Sequence, residues 1–187
     1  MNEEVSKTLE ILKKGGVILY PTDTIWGIGC DATNEEAVKR LFKIKKRPTR
    51  MSMLLLLDRF NPIKKYVHPI PDEARSLVRS FTKPTTIIYS KARDLPFTLI
   101  GKSKTIGIRI TTDPFCKMLI KGLDKPVVST SANFNGEDSP KCFDDISDEL
   151  IQKVDYVVDW RRDDKEKQNA SKVIKFMGSG NIEILRE

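Results

Sequence analysis

The chain has 187 residues, enough to bury one continuous apolar core and too few for two comfortable ones, so a single domain spanning 1–187 is expected. Apolar residues make up 39% and charged residues 32%, and no run approaches the roughly 20 apolar residues of a membrane-spanning helix, so no membrane partner is expected. A net charge of +7, from 33 basic and 26 acidic residues, favours anionic partners, but nucleotides and nucleic acids fit it equally well.

In chain order, Val5, Leu9 and Leu12 recur at helical spacing ahead of Gly15-Gly16, which predicts an amphipathic helix over 3–14 with a glycine stop. That stretch lacks the unbroken apolar core of a secretory signal, and a cytoplasmic location is expected. A buried strand over 17–20 follows. Asn34 is suited to cap a helix whose first turn carries Glu35 and Glu36 and whose apolar face is Ala37, Val38, Leu41 and Phe42, ending near Lys45. A strand over 53–57, a helix begun by Pro71 and running to about Ser80, and a β-rich stretch over 85–89 come next. Residues 91–104 read as a mobile basic loop, which could cover an anionic reactant or be no more than a disordered surface loop. The remaining elements are a strand over 105–110, a helix from Asp113-Pro114 to about Lys121, a strand over 126–129, a helix over 144–153 and short strands over 155–158, 172–176 and 182–185. The mixed charges of RRDDKEKQ, residues 161–168, mark a solvated loop. Alternating strands and helices predict an α/β fold, a twisted open mixed sheet covered by helices.

The residue inventory excludes several chemistries. The one histidine, His68, lies between Val67 and Pro69 in a surface loop, and neither a Gly-x-Ser-x-Gly elbow nor a His-Glu-x-x-His pair is present. Cys30, Cys116 and Cys142 are odd in number and scattered, unlike a disulfide framework or a zinc ligand set. Walker-type and Gly-x-Gly-x-x-Gly phosphate loops are absent, so a nucleotide would have to be held by side chains and other backbone amides.

Three segments at strand or helix ends carry that capacity. YPTDTIWGIGCDA, residues 20–32, places Thr22, Asp23 and Thr24 at the end of a buried strand, although a plain turn would have the same composition. KIKKRP, residues 43–48, ends a helix with Lys45 and Arg47, which could neutralise a triphosphate or simply form a solvated basic face. In VVSTSANFNG, residues 127–136, three hydroxyls and an amide directly follow an apolar strand, a denser hydrogen-bonding tip than an ordinary loop needs.

PTDTIWGIG, KKRP, TIGIRI and STSANFNG, in that order and spacing and with NASKVI near the C-terminus, resemble the landmarks of the YrdC-type threonylcarbamoyl-AMP synthase family. The resemblance implies a twisted open α/β sheet around a large positively charged cavity. It also implies a lysine-x-arginine motif at Lys45 and Arg47 and a serine-x-asparagine motif at Ser131 and Asn133, both facing ATP and forming the catalytic set. Thr105 would join them in binding the nucleotide, while Thr24, Arg109, Ser131 and Ser171 would hold L-threonine. Met51, Ser52 and Leu56 depart from the family pattern, and Phe81-Thr82-Lys83-Pro84 stands where relatives carry a tryptophan-proline-glycine-proline stretch at the side of the pocket.

The implied reaction is that of a nucleotidyltransferase. Threonine's amine combines with bicarbonate, and the carbamate attacks the α-phosphate of ATP, giving threonylcarbamoyl-AMP and pyrophosphate for the modification of tRNA at position 37 to N6-threonylcarbamoyladenosine. Magnesium would arrive with ATP, held by phosphate oxygens and water rather than by protein side chains. Partners would include tRNA and other tRNA-modification proteins. Two alternatives stay open: a module of the same fold that binds double-stranded RNA, and a paralogue with another carbamoyl or acyl acceptor.

Overall fold

The computed structural model describes residues 1–48, 53–178 and 181–187; Met51 and Ser52 lie outside them. The chain runs α1 (Asn2–Lys13), β1 (Ile18–Tyr20), β2 (Gly27–Gly29), α2 (Glu35–Ile44), β3 (Leu54–Leu57), α3 (Ile63–Tyr66), α4 (Ala74–Ser80), β4 (Thr85–Tyr89), α5 (Phe97–Ile100), β5 (Ile106–Ile110), α6 (Pro114–Leu123), β6 (Val127–Ser131), α7 (Asp148–Ile151), β7 (Tyr156–Val157), β8 (Lys172–Gly178) and β9 (Asn181–Arg186). The strands form one mixed nine-stranded sheet in the order β7-β1-β2-β6-β3-β5-β4-β8-β9. This is the α/β architecture expected from the alternating elements.

The helix boundaries follow local chemistry. Asn34 Oδ1 accepts the Ala37 amide at 3.1 Å and opens α2, and Asp113 Oδ1 accepts the Cys116 amide at 2.8 Å and opens α6 behind Pro114. Each side chain satisfies a donor that the first helical turn leaves unpaired.

Strand alternation divides the core. Leu55, Leu57, Ile87, Tyr89, Ile106, Ile108 and Ile174 point to one face, into the larger apolar cluster shared with α2. Ile18, Tyr20, Leu56 and Val127 point to the other, where α1 and α6 cover them. On this second face the residues that alternate with the larger core along β4, β5 and β8, among them Thr86, Gly107, Arg109 and Val173, line a cavity instead of packing under a helix. Leu56 is fully buried on that face and pairs in register with Arg109.

Four features differ from the sequence-based expectation. The segment 91–104 contains α5, whose Leu99 and Ile100 are buried, and it is tied down by the Ala92 amide on the Lys104 carbonyl at 2.7 Å and the Arg93 amide on the Tyr66 carbonyl at 2.9 Å. Its lysines and arginine mask two apolar anchors. The helix expected over 144–153 is divided, because the Ser147 side chain accepts the Leu150 amide and starts α7 afresh after a 3₁₀ turn at Phe143–Asp145. Phe81-Thr82-Lys83-Pro84 borders a separate hollow with Ile87, Tyr89 and Ile108, on the opposite face of the sheet from the cavity.

The fourth difference is β2, which the sequence presents as part of a turn. It pairs antiparallel with β1 and with β6, and the second pairing, Gly27 with Ser131 and Ile28 with Thr130, extends β6 two residues past its expected end. Glycine is required because the strands approach closely: a Cβ on Gly29 would lie 2.0 Å from the Val128 carbonyl oxygen. Gly29→Ala should therefore lower unfolding stability by about 1–3 kcal/mol, the range for forcing a methyl into a packed interior, read as a lower urea midpoint at unchanged m-value.

Candidate active site

The cavity on the second face has a volume of about 340 Å³. Seven hydroxyl side chains line it, from Thr24, Thr86, Ser129, Thr130, Ser131, Ser139 and Ser171, together with Arg47, Arg109 and Arg186. Among the described residues the lining includes no carboxylate, histidine or cysteine. Among the described residues no group of three or more such side chains could hold a metal ion.

One wall is the loop after β1. The Thr22 hydroxyl accepts the Thr24 amide at 3.0 Å and lies 2.9 Å from the Thr24 hydroxyl, which fixes Thr24 at the cavity edge. Arg109, 3% exposed on β5, sends Nη2 to within 3.3 Å of Asp23 Oδ1 and 3.4 Å of Thr22 Oγ1, while its buried Nε has no hydrogen-bond partner among the described residues. Asp23 is held from the other side by the Thr112 amide at 2.9 Å. The guanidinium is thus oriented by one carboxylate and keeps donor capacity at a site lined by hydroxyls.

The second wall joins the end of α2 to the tip after β6. Lys45, 1% exposed, does not line the cavity. Its Nζ donates to the carbonyl oxygens of Ser131 and Asn133 and approaches Asn133 Oδ1 at 3.4 Å, and its own carbonyl accepts the Asn135 amide at 3.0 Å. Burial, and then the Arg47 guanidinium, push its ammonium down to about 7, with Glu137 acting the other way; the three oxygen acceptors oppose the loss of charge as well. Lys46 lies over the Phe134 ring at 4.1 Å, adding a second clamp between the same segments. Held in this way, Arg47 and Ser131 line the cavity together, and burial lowers the pKa of the Arg47 guanidinium.

Among the residues singled out in the sequence, Thr24, Arg47, Arg109, Ser131 and Ser171 line the cavity, and Lys45, Thr105 and Asn133 do not. Asn133 donates through Nδ2 to the carbonyls of Phe134 and Glu137 at 2.9 and 2.7 Å, bracing the tip. Thr105 precedes β5 on the face of Gly107 and Arg109 by alternation, and its hydroxyl is 3.0 Å from that of Ser103. Ser171 is buried with its hydroxyl 2.8 Å from Thr86 Oγ1.

Arg186 is the main addition. Its Nε and Nη2 donate to the Ser171 carbonyl at 3.0 and 2.7 Å, and burial, then the charge of Arg109, lower its pKa. It sits in a short strand at the end of the chain with no neighbouring motif, so only its place in an alternating strand could have flagged it.

The model for the Sua5_yciO_yrdC family, described as telomere recombination, matches residues 10–187. The chain belongs to the Sua5/YciO/YrdC family. A threonylcarbamoyl-AMP synthase of Pseudoalteromonas translucida is 34% identical over 158 residues, covering 83% of this chain and 84% of that protein. A putative threonylcarbamoyl-AMP synthase of Methanocaldococcus jannaschii is 37% identical over 162 residues, covering 84% and 75%. Among solved structures, E. coli YciO superposes with a TM-score of 0.85 at 25% identity, covering all of this chain and 90% of that one. P. abyssi Sua5 in complex with L-threonine superposes with a TM-score of 0.86 at 24% identity; this chain spans 53% of that protein's length.

Within this Sua5/YciO/YrdC domain the Lys45 clamp makes a stability prediction. Lys45→Met keeps the apolar stem but strands two buried carbonyl acceptors, which should cost about 1–3 kcal/mol in unfolding free energy. Amide exchange at residues 131–135 should accelerate at the same time, measured by mass spectrometry on native protein.

Proposed function

We propose that this protein is an L-threonylcarbamoyladenylate synthase acting on ATP, L-threonine and bicarbonate. The observation that carries the reading is the composition of the cavity: three arginines and seven hydroxyls and, among the described residues, no carboxylate, histidine or cysteine in the lining. Such a site suits the joining of anionic reactants without a covalent protein intermediate. The P. translucida relative is a threonylcarbamoyl-AMP synthase, the M. jannaschii relative carries that name as a putative one, and the P. abyssi Sua5 structure holds L-threonine.

In the proposed reaction, the threonine amine attacks bicarbonate and water leaves, giving an N-carboxylate. One of its oxygens then bonds to the α-phosphorus of ATP as the bond to the bridging oxygen breaks and pyrophosphate departs. Arg109, with its oriented guanidinium, would bind the threonine carboxylate, and Thr24 and Ser171 would bind its polar groups. Arg47 and Ser131 would bind the nucleotide phosphates, with Arg186 placed to meet either anion. Lys45 and Asn133 would act from behind, by holding Ser131, and Thr105 would extend the nucleotide-binding face. Catalysis then rests on positioning and on charge stabilisation at phosphorus. Magnesium fits as an ion carried by the phosphates, because the lining offers it hydroxyls but no carboxylate. The adenylate would serve tRNA modification, which makes tRNA and the proteins that consume the adenylate the downstream partners.

The test is pyrophosphate release from purified protein. It should require ATP, L-threonine and bicarbonate together, and it should fall sharply when serine, valine or alanine replaces threonine. Release independent of threonine, or equal turnover with these amino acids, would remove the assignment. Arg47→Ala should lower kcat/KM by on the order of 2–4 kcal/mol, the scale for losing one preorganised charge partner, with circular dichroism unchanged.

A further inference from the structure

The loop after β7 takes no part in the proposed reaction, and its sequence marks it as solvated. Arg161 departs from that pattern. Its backbone sits at φ +57°, the left-handed region that disfavours a residue with a Cβ, and its side chain turns inward. Nη2 lies 2.9 Å from Asp113 Oδ2 and donates to the Thr22 carbonyl at 3.1 Å. Asp113, 5% exposed, already caps α6 through Oδ1, so one guanidinium ties the start of α6 to the loop after β1.

The tie reaches the cavity in one step. Thr22 accepts from the Thr24 amide and from Arg109 through its hydroxyl, so two of the three groups proposed to receive threonine depend on where Thr22 stands. Thr24 and Trp26 line the cavity on one side and, on the other, a small hollow that Arg161 also lines. The loop is therefore a thin wall, with substrate groups in front and the Arg161 guanidinium behind.

We propose that Arg161 is a positioning residue for the amino-acid end of the site, holding Thr24 and Arg109 in register through Thr22 without touching substrate. The role rests on the synthase reading above; the site's nucleotide end stands on α2 and β6, where the Lys45 clamp holds it in addition to the β2 pairing it shares with this loop. A displaced wall should thus weaken one substrate and spare the other.

Steady-state kinetics of Arg161→Ala and Arg161→Lys, with native-state amide exchange of residues 20–26 in the absence of substrates, test this. Arg161→Ala should raise the KM for L-threonine about ten-fold, as small misplacements of a positioning group do, leave the KM for ATP within about two-fold, and speed exchange of the Thr24 amide while α6 stays protected. Arg161→Lys, which keeps the charge beside Asp113, should fall between it and wild type. Unchanged exchange at Thr24, unchanged KM for threonine, or a parallel rise in both KM values would overturn the proposal. Wild-type protein without threonine-dependent pyrophosphate release would instead fail the synthase reading, and would remove Arg161's link to threonine even if the exchange result held.

Discussion

The site depends on a buried ammonium. Lys45 is the C-cap of α2, and its Nζ meets two main-chain carbonyls and a side-chain carbonyl of the tip after β6. An ammonium has three donors and no acceptor, so a nest of oxygens is the environment that justifies burying it. Removing the charge from water is costly, and only full pairing offsets that cost. The same contact sets the distance between Arg47, two residues further on, and Ser131. A residue that composition would assign to direct phosphate binding thus holds two walls of the cavity together.

The cavity exists because the sheet is covered unequally. One face is packed along its length into the larger core, whereas α1 and α6 cover only part of the other. Beyond their reach, threonine, serine, glycine and arginine interrupt the aliphatic face, lining the cavity beside Leu54, Ile88 and Val173. Leu56 and Arg109 are register partners on this face, one sealed under α6's cluster and the other lining the cavity, so the boundary between core and site falls between adjacent strands. Gly27 and Gly29 let β2 pass close enough to β6 for the hydroxyl tip to begin inside the sheet, which gives Thr130 and Ser131 a rigid base.

Electrostatics follow from that shape. Arg47, Arg109 and Arg186 share a small volume, and burial lowers the pKa of Arg47 and Arg186, with Arg109 adding repulsion at Arg186. Asp23 offsets part of the charge at Arg109. The remaining positive field is suited to reactants that bring negative charge with them, and each would relieve repulsion among the arginines on binding.

By itself the sequence determined the fold class, most element positions and the residue types of the site, because helical spacing, caps and β-branched runs are local signals that act through short-range backbone and burial energetics. The family landmarks, read in order, also marked Thr24, Arg47, Arg109, Ser131 and Ser171, five residues that do line the cavity. Tertiary structure alone decided the rest. β2 is a strand only because β1 and β6 flank it; Lys45 turns away from the cavity because the carbonyls of Ser131 and Asn133, some ninety residues distant, accept from it, while Asn133 is braced by the nearby carbonyls of Phe134 and Glu137. Arg186 and Arg161 acquire meaning only through the Ser171, Asp113 and Thr22 groups they meet. Partners so far apart along the chain leave no local pattern, since hydrogen bonds and ion pairs depend on distance in space and not on spacing in sequence.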